Sequence, residues 1–238
     1  MEGDEGEQVA PNFNKEGWYT DALDYWSSTP ATINGMLGGF GVVSQLETNS
    51  SIEFIKEFIE GRKGARNVIK VPPYITKSYA LDCGAGIGRV TKHFLLKVFE
   101  KVDLVEYTPK FIKQAESQYL LNEKKSGKIG KFICKGLQEF TPETKKYDMI
   151  WCQWVLSHLT DEDLIQFFKR CKIGLKNNNG IIGIKENINA IGYCLDKDDS
   201  SVTRSDKIFK EIFEKSGLKL IKEAVQFGMP EGLFEVKM

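Results

Sequence analysis

Few arrangements of backbone accommodate the segment Tyr79-Ala-Leu-Asp-Cys-Gly-Ala-Gly-Ile-Gly-Arg89 followed by Glu106. A short apolar run, Tyr79 to Leu81, reads as a buried strand, and it runs into glycines at alternate positions, Gly84, Gly86 and Gly88. A helix-like pattern, Arg89 to Phe99, follows at once, and a second strand-like run, Lys101 to Glu106, ends on a carboxylate. Strand, glycine turn and helix build a nucleotide-type cofactor site. The glycines let backbone approach a ligand where a Cβ would collide, and they tolerate positive φ. A carboxylate at the end of the second strand can accept hydrogen bonds from both hydroxyls of a ribose.

The spacing separates two cofactors. A dinucleotide fingerprint, G-x-G-x-x-G, wants a glycine at position 89, and this chain has Arg89. The pattern Asp-x-Gly-x-Gly-x-Gly instead resembles motif I of class I S-adenosylmethionine-dependent methyltransferases. That cofactor has no pyrophosphate. It has an amino-acid end whose carboxylate a nearby arginine such as Arg89 could pair.

Composition sets modest bounds. The chain has 238 residues, enough for one domain with a real core. Lys plus Arg and Asp plus Glu number 33 each, so the formal net charge is zero, which argues against a broad nucleic-acid footprint. No apolar run approaches the roughly 20 residues that span a bilayer, and the acidic start Met-Glu-Gly-Asp-Glu-Gly-Glu has no apolar core of a signal peptide. The five cysteines, Cys83, Cys134, Cys152, Cys171 and Cys194, contain no C-x-x-C pair. They read as reduced, mostly buried thiols rather than as disulfides or a metal site. The expectation is a cytoplasmic or nuclear protein, or one found in both, with no membrane, no direct nucleic acid and no metal.

Residues 1–14 read as a mobile tail. Helical patterns cover 16–27 and 50–60, with a glycine-rich apolar stretch, Thr32 to Val43, between them and a connector from Gly61 to Thr76. Beyond Ser78 strands (79–83, 102–106, 131–135, 147–152, 180–185) alternate with helices (89–99, 109–121, 161–174, 204–216). Such alternation predicts an α/β fold whose mostly parallel sheet has helices on both faces. Thr160 with Asp163 forms a capping box, Pro109 suits a first helical turn and Gly217 a helix stop. Two closing runs, Leu218–Gln226 and Leu233–Lys237, read as a hairpin. Ligands in such sheets bind beyond the carboxyl ends of the strands. The expected rim is therefore Asp82–Gly84, Glu106, Gly136–Gln138, Gln153–His158 and Lys185–Asn187.

A narrower resemblance rests on segments spread over nearly the whole ordered chain. They are Tyr25-Trp26, Gly35-Met-Leu-Gly-Gly-Phe-Gly41, Leu81 to Arg89, Gly136-Leu-Gln-Glu-Phe-Thr-Pro142, Gln153-Trp-Val-Leu-Ser-His-Leu-Thr-Asp161, Ile184-Lys-Glu-Asn187 and Asp199-Ser-Ser-Val-Thr-Arg204. Together they resemble the eukaryotic α-N-terminal protein methyltransferases, which modify proteins beginning Xaa-Pro-Lys or Xaa-Pro-Arg. The resemblance implies a Rossmann-like, class I methyltransferase sheet of seven strands, with residues 15–238 as a single domain and 15–60 as a helical cap over the site. It implies S-adenosylmethionine as cofactor, S-adenosylhomocysteine as its product, and the N-terminal tails of substrate proteins as partners. Cofactor binding falls by resemblance to Gly84, Gly86, Arg89, Glu106, Tyr107, Thr108, Leu137, Gln138 and Gln153.

A free α-amine has a pKa of about 7.7–8.0, so it must lose a proton before it can attack a methyl group. The resemblance assigns that deprotonation to His158 and Asp199, and orientation of the amine to Asn187. Histidine titrates in the required range. Trp154, with Leu37 and Gly38 on another side, is expected to wall the substrate proline, and Trp26 lies on the helix that covers the site. The resemblance also gives Asp196, Asp199 and Ser201 to the substrate's Lys or Arg, Asp199 serving both cation and amine, and Phe234 to the lining of the peptide channel. His93 and Trp151 read as packing residues. Phe40 and Phe234 stand where a tyrosine is common in the family, and the apolar insert 188–194 is expected to pack over the channel. On residues alone the acidic run 195–201 also suits a solvated loop. A small-molecule amine methyltransferase of the same fold remains the alternative, and a silent cofactor-binding scaffold the third reading.

Overall fold

The computed structural model describes residue 11 and residues 15–63, 69–176 and 179–238. The tail expected at 1–14 lies, residue 11 apart, outside them. In chain order the elements are α1 (Lys15–Ser28), α2 (Ile33–Met36), α3 (Ser44–Glu60), β1 (Arg62–Lys63), β2 (Ile69–Val71), β3 (Tyr79–Cys83), α4 (Leu96–Val98), β4 (Lys101–Glu106), α5 (Pro109–Gln114), α6 (Leu121–Lys125), β5 (Ile129–Cys134), β6 (Met149–Gln153), α7 (Asp161–Gly174), β7 (Ile181–Asn189), β8 (Tyr193–Asp196), β9 (Ser201–Ser205), α8 (Asp206–Lys215) and β10 (Glu235–Lys237). π-helical stretches, Thr91–Leu95 and Ala115–Tyr119, run into α4 and out of α5.

The main sheet has eight strands in the order β5-β4-β3-β6-β7-β9-β8, with β10 paired to β7. Pairings among β5, β4, β3, β6, β7 and β9 are parallel; β8 on β9 and β10 on β7 are antiparallel. Both faces are covered, which is why the central strands read as almost continuous apolar runs. Successive residues serve opposite layers. Ala80, Leu104 and Trp151 pack with Ile55 of α3, Phe94 and Ile112, whereas Leu81, Val105 and Ile150 pack with Phe167 and Phe168 of α7 and Phe209 of α8. The strand order reverses at β3, which carries β4 on one side and β6 on the other. A crevice opens at such a switch point, beyond the carboxyl ends.

Three expectations change. The sheet gains a hairpin, β8–β9, where the sequence suggested an insert followed by a loop. Asp196 pairs with Ser201 and Tyr193 with Arg204 across it. Its acidic residues mask the period-two pattern because they cluster at the turn, while Val202 and Arg204 are buried. Arg204 thus belongs to a strand, and α8 starts two positions later than expected, at Asp206. The closing hairpin shrinks to the bridge Val225↔Lys237, because β10 has only three residues and spends its other edge on Glu186, Asn187 and Ile188 of β7. Finally, α3 begins at Ser44, six residues earlier than the sequence pattern suggests, and buries Glu47 in that first part.

Candidate active site

The crevice is built turn by turn. After β3 the chain turns through Gly84, Gly86 and Gly88, with φ of 67°, 55° and 88°. Only glycine adopts this succession without strain. A Cβ on Gly86 would lie 2.6 Å from Met36 Sδ, and one on Gly88 would lie 2.4 Å from Leu120 Cδ1. Glu106 ends β4 and is buried, with Oε2 accepting the Gly86 N–H at 2.8 Å and Oε1 the Thr108 N–H at 2.7 Å. Burial pushes its carboxyl upward, and those backbone bonds oppose the shift. Asp82, on β3, is pushed up to about 7 by burial while Thr91 Oγ1 donates to it at 2.6 Å, tying strand end to helix start. The turn after β5 is held from below: Arg170 of α7 donates to the carbonyls of Leu137, Gln138 and Phe140 at 2.8, 3.0 and 2.7 Å.

These turns line a crevice that is open to solvent. Its walls include all nine expected cofactor residues (Gly84, Gly86, Arg89, Glu106, Tyr107, Thr108, Leu137, Gln138 and Gln153) and also Trp26, Trp154 and His158. The lining, apolar walls with a buried carboxylate at Glu106 and a guanidinium at Arg89, suits a small ligand with one diol, one apolar ring and one charged end. A buried carboxylate has about four acceptor positions; Glu106 spends two on backbone, so capacity remains for a ribose diol.

The other expected residues are not on its wall. Leu37 is half-buried beside Met36, which does line the cavity, and Gly38 is exposed with φ of 55°. Asn187 is half-buried on β7, its Oδ1 accepting the Trp154 indole N–H at 3.2 Å. Asp196 is exposed at the end of β8, and Ser201, directly opposite it, is buried. Phe234 is 40% exposed just before β10.

His158 lines the cavity, and the charges of Asp199 and Asp196 act on it. His158 Nδ1 lies 3.1 Å from the Ser200 carbonyl oxygen, which can only accept, so Nδ1 carries the proton. Nε2 is then the acceptor and takes the Trp26 indole N–H at 3.1 Å. Burial lowers the His158 pKa, against the opposing charges of Asp199 and Asp196. The ring is therefore held neutral with a defined tautomer. Asp199 Oδ1 is buried with no hydrogen-bond partner among the described residues. Such an orphan acceptor is costly and marks a place where a donor is missing. The Tyr25 hydroxyl faces the same acidic turn; burial and then the charges of Asp199, Asp196 and Asp198 raise its pKa.

Sequence reasoning missed what holds these groups. Glu47 of α3 is fully buried, and its carboxylate receives Arg89, the Gln153 side-chain amide at 2.8 Å and Lys185 Nζ at 2.9 Å. Arg89 thus already has an anionic partner, and lines the cavity from that position. α1 is pinned over the rim by Trp18 Nε1, 2.7 Å from the His158 carbonyl, and by the Tyr19 hydroxyl, 2.6 Å from Asp163 Oδ2. The available signal was a charged pair, Lys185-Glu186, closing an otherwise apolar strand. Trp151 is core, in edge contact with Phe94, and His93 bonds Tyr119 at 2.8 Å. Among the described residues no group of three or more His, Cys, Asp or Glu is placed to hold a metal ion.

The fold and this crevice define a class: the S-adenosylmethionine-dependent methyltransferases with a class I sheet. A 1,6-didemethyltoxoflavin-N1-methyltransferase of Burkholderia thailandensis, solved with S-adenosylhomocysteine, shares the fold at a TM-score of 0.67 and 13% identity, over 96% of this chain and 90% of that one. A SAM-dependent methyltransferase from Leishmania major superposes with a TM-score of 0.80 at 37% identity, covering 94% of this chain and 83% of its own. The family described as "AdoMet dependent proline di-methyltransferase" matches residues 14–238, and the chain belongs to that family. Its relatives include N-terminal Xaa-Pro-Lys N-methyltransferase 1-B of Xenopus laevis, 43% identical over 92% of each chain. N-terminal Xaa-Pro-Lys N-methyltransferase 1 of Bos taurus is 43% identical over 94% of each.

Proposed function

We propose that this protein transfers methyl groups from S-adenosylmethionine to the free α-amine of protein N-termini beginning Xaa-Pro-Lys or Xaa-Pro-Arg. Family membership and the names of the relatives support the reaction class. The observation that carries the assignment of residues is the buried Oδ1 of Asp199, without a donor among the described residues, whose carboxylate charge acts on a neutral His158 lining the cavity. The cofactor, when bound, supplies a methyl group activated on a sulfonium. Glu106 would hold its ribose, Leu137 and Gln138 its adenine, and Arg89 with the glycine turn its amino-acid end.

An incoming ammonium is drawn to the Asp199 carboxylate, whose buried Oδ1 has no donor among the described residues. Its proton leaves to Nε2 of His158, which becomes available when the Trp26 indole N–H gives way to the amine. His158 can then carry positive charge, because Asp199 lies near and Nδ1 keeps the Ser200 carbonyl. Asn187 Oδ1 already accepts the Trp154 indole N–H; its second lone pair accepts an N–H of the amine and leaves the amine's own lone pair free to attack. Trp26 and Trp154, with Leu37 and Gly38 alongside, form an apolar slot for proline, which has a ring and no N–H to satisfy. Asp196 and Ser201 meet the third-residue cation, and Phe234 borders the outgoing peptide. The N-terminal segment 15–60 acts as the cap of a single domain spanning 15–238.

The partner is the N-terminal tail of a substrate protein, with no metal, membrane or direct nucleic-acid role in the reaction. Among the described residues no helix is long and apolar enough to cross a membrane. The unbridged thiols Cys83, Cys134, Cys152 and Cys171 support residence in the cytoplasm or nucleus, or both. The test is mass spectrometry of a Pro-Pro-Lys-type peptide after incubation with cofactor. Methyl groups are expected on the terminal nitrogen and none on a peptide whose α-amine is acetylated. Methylation of the acetylated peptide at lysine would refute terminal specificity. Asp199→Asn and His158→Ala are expected to cut turnover by orders of magnitude while cofactor affinity holds, and loss of that affinity in both would reassign the two residues to structure.

A further inference from the structure

The turn that joins β6 to α7 carries both Trp154 and His158, and its backbone is unusual. Trp154 has φ of 50°, a left-handed conformation that costs a bulky residue about 1–3 kcal/mol and persists only when its surroundings enforce it. The enforcement is visible. Glu186 of β7 is buried, and its Oε1 accepts the N–H groups of Val155 and Leu156, both at 2.8 Å. Arg204 of β9 has no exposed surface; its Nη1 donates to the Leu156 carbonyl at 3.1 Å and its Nη2 to the Leu159 carbonyl at 2.6 Å. The Arg204 Nε also donates to Asp161 Oδ1, at the first residue of α7, at 2.8 Å.

Glu186 and Arg204 together make four hydrogen bonds to the backbone of one short turn. Taken alone, the turn is a segment of a 3₁₀ helix, Leu156–His158, with no side-chain cap. Val155 and Leu156 are its unpaired leading amides, the groups that a helix start leaves for something else to satisfy. A single carboxyl oxygen from the neighbouring strand accepts both of them at once. None of the four residues needs to touch substrate for the effect to reach the chemistry, since a displacement of about 1 Å at a reacting group can cost about 10²-fold in rate.

We propose that Glu186, braced by Arg204 on the opposite side of the turn, is a positioning residue that sets the places of Trp154 and His158. It acts through the Val155 and Leu156 amides, so what matters is an acceptor oxygen at that point. The proposal rests on the reading of His158 given above.

The test compares Glu186→Ala with Glu186→Gln in the full chain. Both are assayed for peptide kcat and KM and for S-adenosylhomocysteine affinity by calorimetry, and their imidazole ¹H–¹⁵N signals are recorded. The glutamine keeps a carbonyl oxygen for the two amides, so its kcat stays within threefold of wild type and its His158 signals stay in place. The alanine loses about 10²-fold in kcat with peptide KM and cofactor affinity within threefold, and its His158 signals move. If the alanine variant does not fold, Glu186→Asp, with its carboxylate one methylene short, shows the same split to a lesser degree. The proposal is overturned if the alanine keeps its kcat, if the glutamine is as impaired as the alanine, or if the His158 signals do not move in the alanine or aspartate variant. Failure of the functional reading looks different: wild type then leaves the peptide unmethylated, while the His158 signals still respond to Glu186.

Discussion

Glu47 sits where the fold and the site are joined, and replacing it by glutamine isolates a charge without changing shape. Its carboxylate is the shared anion of two buried cations, Arg89 and Lys185. Lys185 has no exposed side-chain surface, and its Nζ also reaches the Glu47 carbonyl at 2.7 Å and Ser51 Oγ at 3.1 Å. Burial already lowers its pKa from the ordinary 10.5, and the charge and hydrogen bond of Glu47 oppose that shift. Removing one partner of a buried pair costs about 3–5 kcal/mol. For Lys185 the ceiling is chemical: it can shed its proton, which at pH 7 costs about 5 kcal/mol relative to an ordinary lysine, whereas Arg89 cannot. The expected loss is therefore at least about 3 kcal/mol, a fifth or more of a typical domain's stability of about 5–15 kcal/mol.

The sign with pH follows. With Glu47 neutral, the folded state binds fewer protons at Lys185 than the unfolded chain below 10.5, so the variant gains stability relative to wild type as pH rises toward that value. Urea unfolding at pH 7 and pH 9.5 reads both effects. Adding Lys185→Met to the variant removes one stranded cation and recovers part of the loss. A Glu47→Gln protein within 1 kcal/mol of wild type, by this order-of-magnitude reckoning, with an unchanged pH slope would refute the reasoning.

Three further outcomes are expected. Glu106→Ala should weaken S-adenosylhomocysteine binding at least about tenfold by calorimetry, since it removes the only carboxylate that the described residues place on the cavity wall and strands the Gly86 and Thr108 amides. Gly88→Ala, at φ of 88° and with its Cβ 2.4 Å from Leu120 Cδ1, should destabilise by about 2–4 kcal/mol and lower Tm in a thermal scan. The lowered pKa of His158 means that its neutral form stabilises the fold above an ordinary histidine pKa of 6.5 and that this contribution is lost as pH falls below it. The urea midpoint of wild type should therefore drop, relative to His158→Asn, between pH 7 and pH 5.5. The comparison is needed because burial raises Asp82 and Glu186, each to about 7, which pulls stability the other way over the same range.

Much of the fold was legible because its signals are local. Strands β3, β4 and β6 show as apolar runs because both their faces are covered, and α7 announces itself by Thr160 Oγ1 accepting the Asp163 N–H at 3.2 Å. The alternating glycines follow the φ values and close approaches they must allow. The hairpin β8–β9 was not legible, because an acidic turn interrupts its alternation and its inward residues include an arginine. The start of α3 was not legible either, because its first part buries Glu47, Thr48 and Ser51 where an apolar stripe would be expected.

The site divides along the same line. Residue types and spacing within a few positions were enough to mark the cofactor turn and its acidic strand end, because each requirement is met by neighbours in the chain; the reading of the histidine after β6 needed the family resemblance. Only the tertiary structure decided that Arg89, Gln153 and Lys185 converge on Glu47, that Trp26 caps the imidazole, and that Glu186 and Arg204 hold one turn between them. Each of these is a bond between segments remote in sequence. Burial gives each its strength, and burial is set by the packing of the whole sheet.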